Sequence, residues 1–359
     1  MNNYSSVQPG IIEGFFGRSW SWQDRKEYAE FLASNGYSYY IYAPKSDACL
    51  RKHWRSPWPQ ATFAELHKLR DHYRQQQVAF GVGLSPYEIH LDSSTDKYTQ
   101  LRQKIGEINQ LRPDILCLLF DDMRGDFPQL AQVQRDLIHF TAEHSSAQKI
   151  IFCPTYYSFD PVLEKVFGTR PADYWETLGR DIDPHIDIFW TGPKVCSEEY
   201  TAAHLKHAND LLGRKVFLWD NYPVNDGAIK SKLLQLRAFG RSHAQLTELV
   251  SGHAANPMNQ PWLSRLPLTT LPRAYREQQH YNPEQAFIDS CHQLCEAPLA
   301  QYLIEDIGLL QNEGLDKLDA EQREILRNKY AAFDNNPYAR EIMDWLNDEY
   351  QFDPSCLTE

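Results

Sequence analysis

Short apolar segments that end in polar or turn residues alternate along the chain with longer segments of helical periodicity. Eight of the short segments are candidate strands: GIIEGFFG (10–17), YSYYIYAP (37–44), VAFGVGLSP (78–86), ILCLLFDD (115–122), KIIFCPTYY (149–157), IDIFWTGPK (186–194), KVFLWDNYP (215–223) and TELVSGHAANP (247–257). Between them lie candidate helices, two of which end at glycines that fit a C-cap, Gly36 and Gly213. The pattern predicts an α/β protein. Eight strands favour a (β/α)8 TIM barrel, although a doubly wound open sheet shows the same alternation.

The pattern changes near residue 265, beyond which helical periodicity continues without further strand candidates. We expect part of this region to supply the last helix of the barrel and the rest to form a small helical bundle. The predicted domains are therefore a catalytic barrel over residues 1–280 and a helical region over residues 281–359.

The barrel hypothesis predicts where polar residues interrupt the apolar runs, because the chemistry of such barrels collects at the carboxyl ends of the strands. Polar or aromatic residues do close the predicted strands or open the loops after them: Glu13, Lys45, Asp121, Asp122, Tyr157, Lys194, Asp220, Asn221 and Asn256. Strands generally end where polar loops begin. That tendency does not explain a pair of adjacent carboxylates.

Composition and charge narrow the class of protein. The net charge is -12, from 36 basic and 48 acidic residues, so general affinity for nucleic acid or for an anionic membrane is not expected. Aromatic residues make up 13% of the chain, which suits stacking on sugars, although most aromatic residues in proteins simply build the core.

Localisation and metal content are also predicted from the sequence. The N-terminal segment MNNYSSVQPG lacks the pattern of a signal peptide, and no apolar run is long enough to span a membrane, so we expect a cytoplasmic protein. The seven cysteines are scattered and form no CxxC pair, which indicates buried thiols and no metal site. No cofactor is expected.

The adjacent aspartates Asp121 and Asp122 allow three interpretations. Two neighbouring carboxylates disfavour each other's charge, so one of them can keep its proton and act as a general acid. They are also suitable ligands for a divalent cation. A structural role, such as pairing with a buried arginine or capping a helix, is the third. Their position after an apolar strand favours a catalytic role.

The other candidate residues indicate the kind of ligand. Amide, carboxylate and ammonium groups suit the hydroxyls of a sugar, and flat aromatic side chains suit its ring; the candidates are Lys45, Tyr157, Trp219, Asn221, Asp226 and Asn256. No phosphate-binding glycine loop and no GxSxG motif is present, which argues against nucleotide binding and the α/β-hydrolase class.

Seven motifs, in order along about 250 residues, resemble glycoside hydrolase family 84, the β-N-acetylglucosaminidases that include protein O-GlcNAcases. They are GIIEGFFGRSW (10–20), YAPK (42–45) followed by Trp54 and Arg55, LLFDD (118–122), FCPT with Tyr157, WTGPK (190–194), WDNYPVND (219–226), and Asn256 with Pro257.

The resemblance implies an exo-acting, retaining enzyme without a nucleophile of its own, in which the 2-acetamido oxygen of a terminal β-linked N-acetylglucosamine attacks the anomeric carbon. Asp121 would then orient the acetamido group, and Asp122 would act as general acid and base. The sugar would be bound by the family's pocket residues, which correspond here to Gly14, Lys45, Tyr157, Trp219, Asn221, Asp226 and Asn256. The implied substrates are glycosides or glycoproteins that carry N-acetylglucosamine.

Two positions depart from the family pattern. Ser46 stands where an acidic residue is common, and Tyr156 where glutamate is common, which puts specificity beyond the first sugar in doubt. Two alternatives stay open: a catalytically silent barrel that binds N-acetylhexosamine, and a metal-dependent enzyme. The C-terminal helices offer a surface for a homodimer.

Overall fold

The strands form a closed barrel. The computed structural model describes residues 7–358, and within them eight parallel strands pair in chain order, with β1 closing on β8. The strands are β1 Pro9–Glu13, β2 Tyr39–Tyr42, β3 Ala79–Leu84, β4 Ile115–Leu119, β5 Lys149–Cys153, β6 Asp187–Trp190, β7 Val216–Asp220 and β8 Val250–Ala255. The predicted (β/α)8 fold is confirmed, and the open sheet is the wrong alternative.

Helices surround the barrel and continue beyond it. The α-helices are α1 Trp22–Ser34, α2 Gln60–Gln75, α3 Asp96–Gln110, α4 Leu130–His144, α5 Val162–Phe167, α6 Tyr174–Asp181, α7 Ala202–Leu212, α8 Pro261–Glu277, α9 Pro283–Leu294, α10 Ala297–Ile307, α11 Gly314–Lys317, α12 Ala320–Ala331 and α13 Pro337–Leu346. A π-helical turn, Gly308–Glu313, follows α10. At the predicted C-cap of α7, Gly213 has a φ of +62°, a conformation that glycine adopts without a steric cost.

The apolar strand segments follow from the architecture. A parallel barrel strand is covered by helices on one face and by the barrel interior on the other, so both faces are apolar. All five residues of β4 are buried, and Ile11 and Ile12 of β1 are both inaccessible to solvent although they point to opposite faces. Each observed strand ends before its predicted segment does, because the last polar residues of the segments already belong to loops.

A second apolar core joins the C-terminal helices to the barrel. It combines residues of α9 to α13, such as Trp345, with Met258 from the loop between β8 and α8, Leu263 from α8, and Leu234 from the loop after β7. The boundary near residue 280 stays a prediction. In residues 7–358 no helix has both the length and the apolar composition needed to cross a membrane. Residues 1–6, which belong to the N-terminal segment considered above, and residue 359 lie outside the described part.

Candidate active site

The nine predicted site residues meet in one cavity at the carboxyl end of the barrel. The empty space in and above the cavity, including the part open to solvent, is about 560 Å³, and the lining includes Gly14, Lys45, Asp121, Asp122, Tyr157, Trp219, Asn221, Asp226 and Asn256. Trp219 lies near the end of β7, and the others lie in the loops after strands β1, β2, β4, β5, β7 and β8. The catalytic and binding roles assigned to them stay predictions.

The two aspartates reach the same cavity because the chain turns between them. Adjacent side chains of a strand face opposite ways, but β4 ends at Leu119, and the pair lies in the turn that follows. Asp122 has a φ of +59°, the left-handed conformation that aspartate tolerates better than most residues. This turn redirects the chain, so both carboxylates contact the same cation.

That cation is the ammonium of Lys45, which is buried together with both carboxylates. Lys45 donates a hydrogen bond to Asp121 Oδ2, and its Nζ lies 3.3 Å from Asp122 Oδ2. Burial alone would lower the pKa of Lys45, but the charges of Asp121 and Asp122 raise it. Lys45 is therefore a fixed positive charge in the lining of the cavity.

The environment of Asp122 favours its protonated form. Burial raises the pKa of Asp122, the Lys45 ammonium lowers it, and the charge of Asp121 raises it again, with a raised pKa as the net result. A carboxyl group with these neighbours can hold a proton that it later donates. In the described part of the chain, the other carboxylate has a buried atom, Asp121 Oδ1, that accepts no hydrogen bond.

A chain of hydrogen bonds that runs from the Gly14 backbone to the Trp219 indole holds one wall of the cavity in place. The Gly14 N–H donates to Asn256 Oδ1 over 3.1 Å, and Asn256 Nδ2 donates to Asn221 Oδ1 over 3.0 Å. Trp219 Nε1 donates to the same Asn221 oxygen over 3.0 Å, and Asn221 Nδ2 donates to the Val195 carbonyl over 2.9 Å. Each amide is thus held in one orientation, which leaves the wall pre-shaped for a ligand.

Asp226 and Tyr157 complete the lining with titratable groups. Asp226 Oδ2 accepts the Phe16 N–H over 2.8 Å; burial raises the pKa of Asp226 to about 6, although that hydrogen bond lowers it in part. Burial also raises the pKa of Tyr157, and the charge of Asp122 raises it further, so the phenol keeps its proton as a donor.

Three polar residues predicted at the rim have other surroundings. Glu13 is the last residue of β1, and its side chain is outside the cavity lining, in an ion pair with Arg25 at 2.6 Å. Asp220 is the last residue of β7 and is also outside the lining; His243 and His253 contact its Oδ2 at 2.8 and 3.1 Å. Strand alternation explains both cases, since each neighbours a residue that faces the other way. Lys194 is exposed and lines a neighbouring groove.

Several lining residues were missed by the sequence analysis. Phe16 and Thr191 lie inside recognised motifs, so their positions after β1 and β6 were available signals. Lys230 belongs to the long loop after β7, and Cys356 and Thr358 belong to the segment after α13. Nothing in the local sequence of the last two residues indicates that they reach the barrel mouth.

The two departures from the family pattern lie apart from the paired aspartates. Ser46 is hydrogen-bonded to Ser19, and the Tyr156 hydroxyl donates to the Gly168 carbonyl over 2.6 Å. Over residues 7–358, no group of three or more His, Cys, Asp or Glu side chains is arranged to hold a metal ion.

Comparison with known proteins decides the family. A family model described as beta-N-acetylglucosaminidase matches residues 9–305, which is most of the chain. The chain belongs to the β-N-acetylglucosaminidase family. The resemblance to glycoside hydrolase family 84 is thereby confirmed, and with it the expectation of a glycoside hydrolase rather than a nucleotide-binding or α/β-hydrolase protein.

Relatives of this β-N-acetylglucosaminidase-family chain include enzymes from animals and a bacterium. It is 27% identical over 257 residues to the protein O-GlcNAcases of Rattus norvegicus and Mus musculus, an alignment that covers 69% of this chain and 28% of each relative. An O-GlcNAc hydrolase variant from Thermobaculum terrenum has a TM-score of 0.78 at 29% identity, over 96% of this chain and 81% of that one. The structure of CpGH84B, at 21% identity and a TM-score of 0.76 over 95% of this chain and 66% of that one, supports the fold.

Proposed function

We propose that this chain is a retaining exo-β-N-acetylglucosaminidase in which the substrate's own 2-acetamido group is the nucleophile. One observation carries the proposal. Asp122, whose pKa is raised, shares a buried ammonium with Asp121, whose Oδ1 accepts no hydrogen bond from the described residues. A buried acceptor without a partner is costly, and the acetamido N–H of N-acetylglucosamine is a donor that would satisfy it.

In the first step the acetamido carbonyl oxygen forms a bond to C1 while the bond between C1 and the aglycone oxygen breaks. Asp122 transfers its proton to the departing oxygen, so the aglycone leaves as a neutral alcohol. Positive charge develops on the acetamido group as the oxazolinium ring closes, and the Asp121 carboxylate, which accepts the N–H, stabilises that charge. Attack within one molecule can contribute several kcal/mol through proximity.

In the second step Asp122, now a carboxylate, removes a proton from a water molecule that attacks C1 from the side the aglycone has left. The bond between C1 and the acetamido oxygen breaks, and the acetamide is restored. Two inversions at C1 give net retention. The Lys45 ammonium, 3.3 Å from Asp122 Oδ2, stabilises the carboxylate between the two steps.

The remaining lining residues of the cavity bind the sugar. We assign Asp226, Asn221 and Asn256 to the ring hydroxyls, since amide and carboxylate oxygens accept and amide nitrogens donate. The Trp219 indole supplies a flat apolar surface for the ring, and the Tyr157 phenol supplies a donor near the acetamido group.

The natural substrate and setting are further parts of the proposal. Relatives named protein O-GlcNAcase and O-GlcNAc hydrolase support a substrate in which N-acetylglucosamine is linked to serine or threonine. A cytoplasmic location fits such a substrate.

A homodimer formed through the C-terminal helices is a separate part of the proposal. It is tested by light scattering on the full chain and on Ile325→Glu, since Ile325 of α12 is 56% exposed. A monomer in both cases would contradict the dimer.

The mechanism is tested with aryl N-acetyl-β-glucosaminides whose acetamido methyl carries zero, one, two or three fluorine atoms. Fluorine withdraws electrons from the carbonyl oxygen, so kcat/KM should fall steeply along the series if that oxygen is the nucleophile. The aryl β-glucoside, which lacks the acetamido group, should be hydrolysed at least about 1000-fold more slowly. Equal rates along the series would refute the mechanism, and sugar binding without turnover would favour the silent barrel.

A further inference from the structure

The segment of residues 351–358, here the tail segment, lies across the mouth of the sugar cavity. It begins after Tyr350, a buried residue whose ring stacks with the Arg18 guanidinium at 4.9 Å. It then turns at Asp353, whose Oδ1 accepts the Ser355 N–H over 2.8 Å and whose carbonyl accepts the Cys356 N–H over 2.9 Å. The turn directs the rest of the segment into the barrel mouth.

The end of the tail segment lines the same cavity as the two proposed catalytic residues. Cys356 and Thr358 line that cavity together with Asp121 and Asp122, and Thr358 also lines the neighbouring groove. The Thr358 side chain lies beside the Tyr157 phenol in this lining. A ligand in the cavity therefore needs space next to Tyr157 that the tail segment occupies.

The attachment of the tail segment is weak compared with that of the helix before it. The tail segment leaves its two large apolar side chains in solvent, Phe352 at 39% and Leu357 at 55% exposure. Trp345 and Leu346 of α13, by contrast, are fully buried. A segment that buries little apolar surface opens at a low free-energy cost. Tyr350 meanwhile keeps it close to the cavity, which gives it a high effective concentration there.

We propose that the tail segment is an internal competitor of the glycoside, which occupies the cavity mouth through Thr358 and must leave before a substrate enters. The inference rests on the proposed function. Its chemistry fits that function, because a threonine hydroxyl in an extended peptide is the group released when N-acetylglucosamine is removed from threonine. The tail segment thus resembles the peptide product of the reaction.

Competition of this kind changes KM and not kcat, since a bound substrate has already displaced the tail segment. If the cavity is open in one molecule of ten, the apparent KM is about tenfold higher than that of a permanently open cavity. A chain shortened to end at Tyr350 should therefore show a KM about tenfold lower on 4-nitrophenyl N-acetyl-β-glucosaminide, with kcat within about twofold.

Two substitutions distinguish an effect of the tail segment on KM from a general effect of replacing a threonine. Thr358→Val keeps the shape of the side chain and removes the hydroxyl that lies beside Tyr157, so it should also lower KM, but by less. Thr99→Val makes the same change at an exposed position of α3 and should leave KM unchanged. A synthetic peptide of residues 351–358 should inhibit the shortened chain competitively. Equal KM values for the shortened and full chains, without inhibition by the peptide, would overturn the proposal.

A second readout needs no turnover. In the full chain, saturating N-acetylglucosamine should displace the tail segment and accelerate alkylation of Cys356 by iodoacetamide, as measured by peptide mass spectrometry. Cys117, which is buried in β4, should stay unreactive throughout. An unchanged Cys356 rate with the sugar bound would contradict the proposal. Absence of hydrolysis by both full and shortened chains would instead overturn the proposed function.

Discussion

A methyl group added at Gly14 tests whether the wall of the cavity is as tightly built as the structure indicates. A Cβ at this position would lie 2.5 Å from Trp219 Cζ2. Ordinary carbon contacts are about 3.5 Å, so the indole or the backbone must move by about 1 Å. The indole is restrained by its hydrogen bond to Asn221 at 3.0 Å and by the Phe189 ring, whose centroid is 5.1 Å away.

We therefore expect Gly14→Ala to lose both stability and activity. Overpacking of this kind lowers the free energy of unfolding by about 1–3 kcal/mol. A 1 Å displacement in a positioned site reduces kcat/KM by about 100-fold. Urea unfolding and hydrolysis of 4-nitrophenyl N-acetyl-β-glucosaminide measure the two effects.

The matched control is the same substitution in helix α3. Gly106→Ala meets no atom within 4 Å, so it should stabilise the exposed helix by about 1 kcal/mol and leave turnover unchanged. Wild-type stability and wild-type kcat/KM in Gly14→Ala would refute the description of a wall held against Gly14.

The remaining predictions concern buried charges. Asp122→Asn should lower turnover of alkyl N-acetylglucosaminides by at least about 100-fold and of the 4-nitrophenyl substrate much less, since a good leaving group needs no proton; equal losses would contradict the acid role. For the wild type on alkyl substrates, turnover should fall as pH rises through the raised pKa of Asp122, a limb that Asp122→Asn should lack. Asp226 has its pKa raised from 3.8 to about 6, so the folded state binds its proton more tightly, and this contribution to stability is lost as pH rises through that interval. Asp226→Asn should therefore lose less stability than the wild type as the pH rises from 3.8 to about 6. Urea unfolding midpoints measured at several pH values check this. Arg25→Met leaves the buried Glu13 carboxylate without its ion pair and should cost about 3–5 kcal/mol, with part of the loss recovered when Glu13→Gln is added; no recovery would argue against the pair.

The barrel could be predicted because its strands are apolar on both faces. The run Ile115–Leu119 has no polar residue to mark a solvent side, and seven similar runs separated by amphipathic segments leave few architectures open. The position of the cavity could be predicted as well, because polar residues directly after such strands converge at one end of a barrel.

Other features depend on tertiary structure and could not be predicted. Glu13 and Asp220 were placed at the rim with the cavity residues, because the sequence shows that a strand is ending but not at which residue the alternation of faces stops. The left-handed turn at Asp122 carries no local signal beyond a residue type that tolerates it. The approach of Thr358 to Tyr157 joins residues about 200 positions apart in the chain through packing of the C-terminal helices, which periodicity does not encode.

The most direct test of the central claim is hydrolysis of 4-nitrophenyl N-acetyl-β-glucosaminide by the purified chain, beside Asp122→Ala and with EDTA present. We predict that the wild type releases nitrophenol at the same rate with and without EDTA. Turnover by Asp122→Ala should be reduced, because the second step lacks its general base, and partly restored by azide, a small nucleophile that needs no general base. Absence of release by a folded wild type, or full activity in Asp122→Ala, would contradict the account.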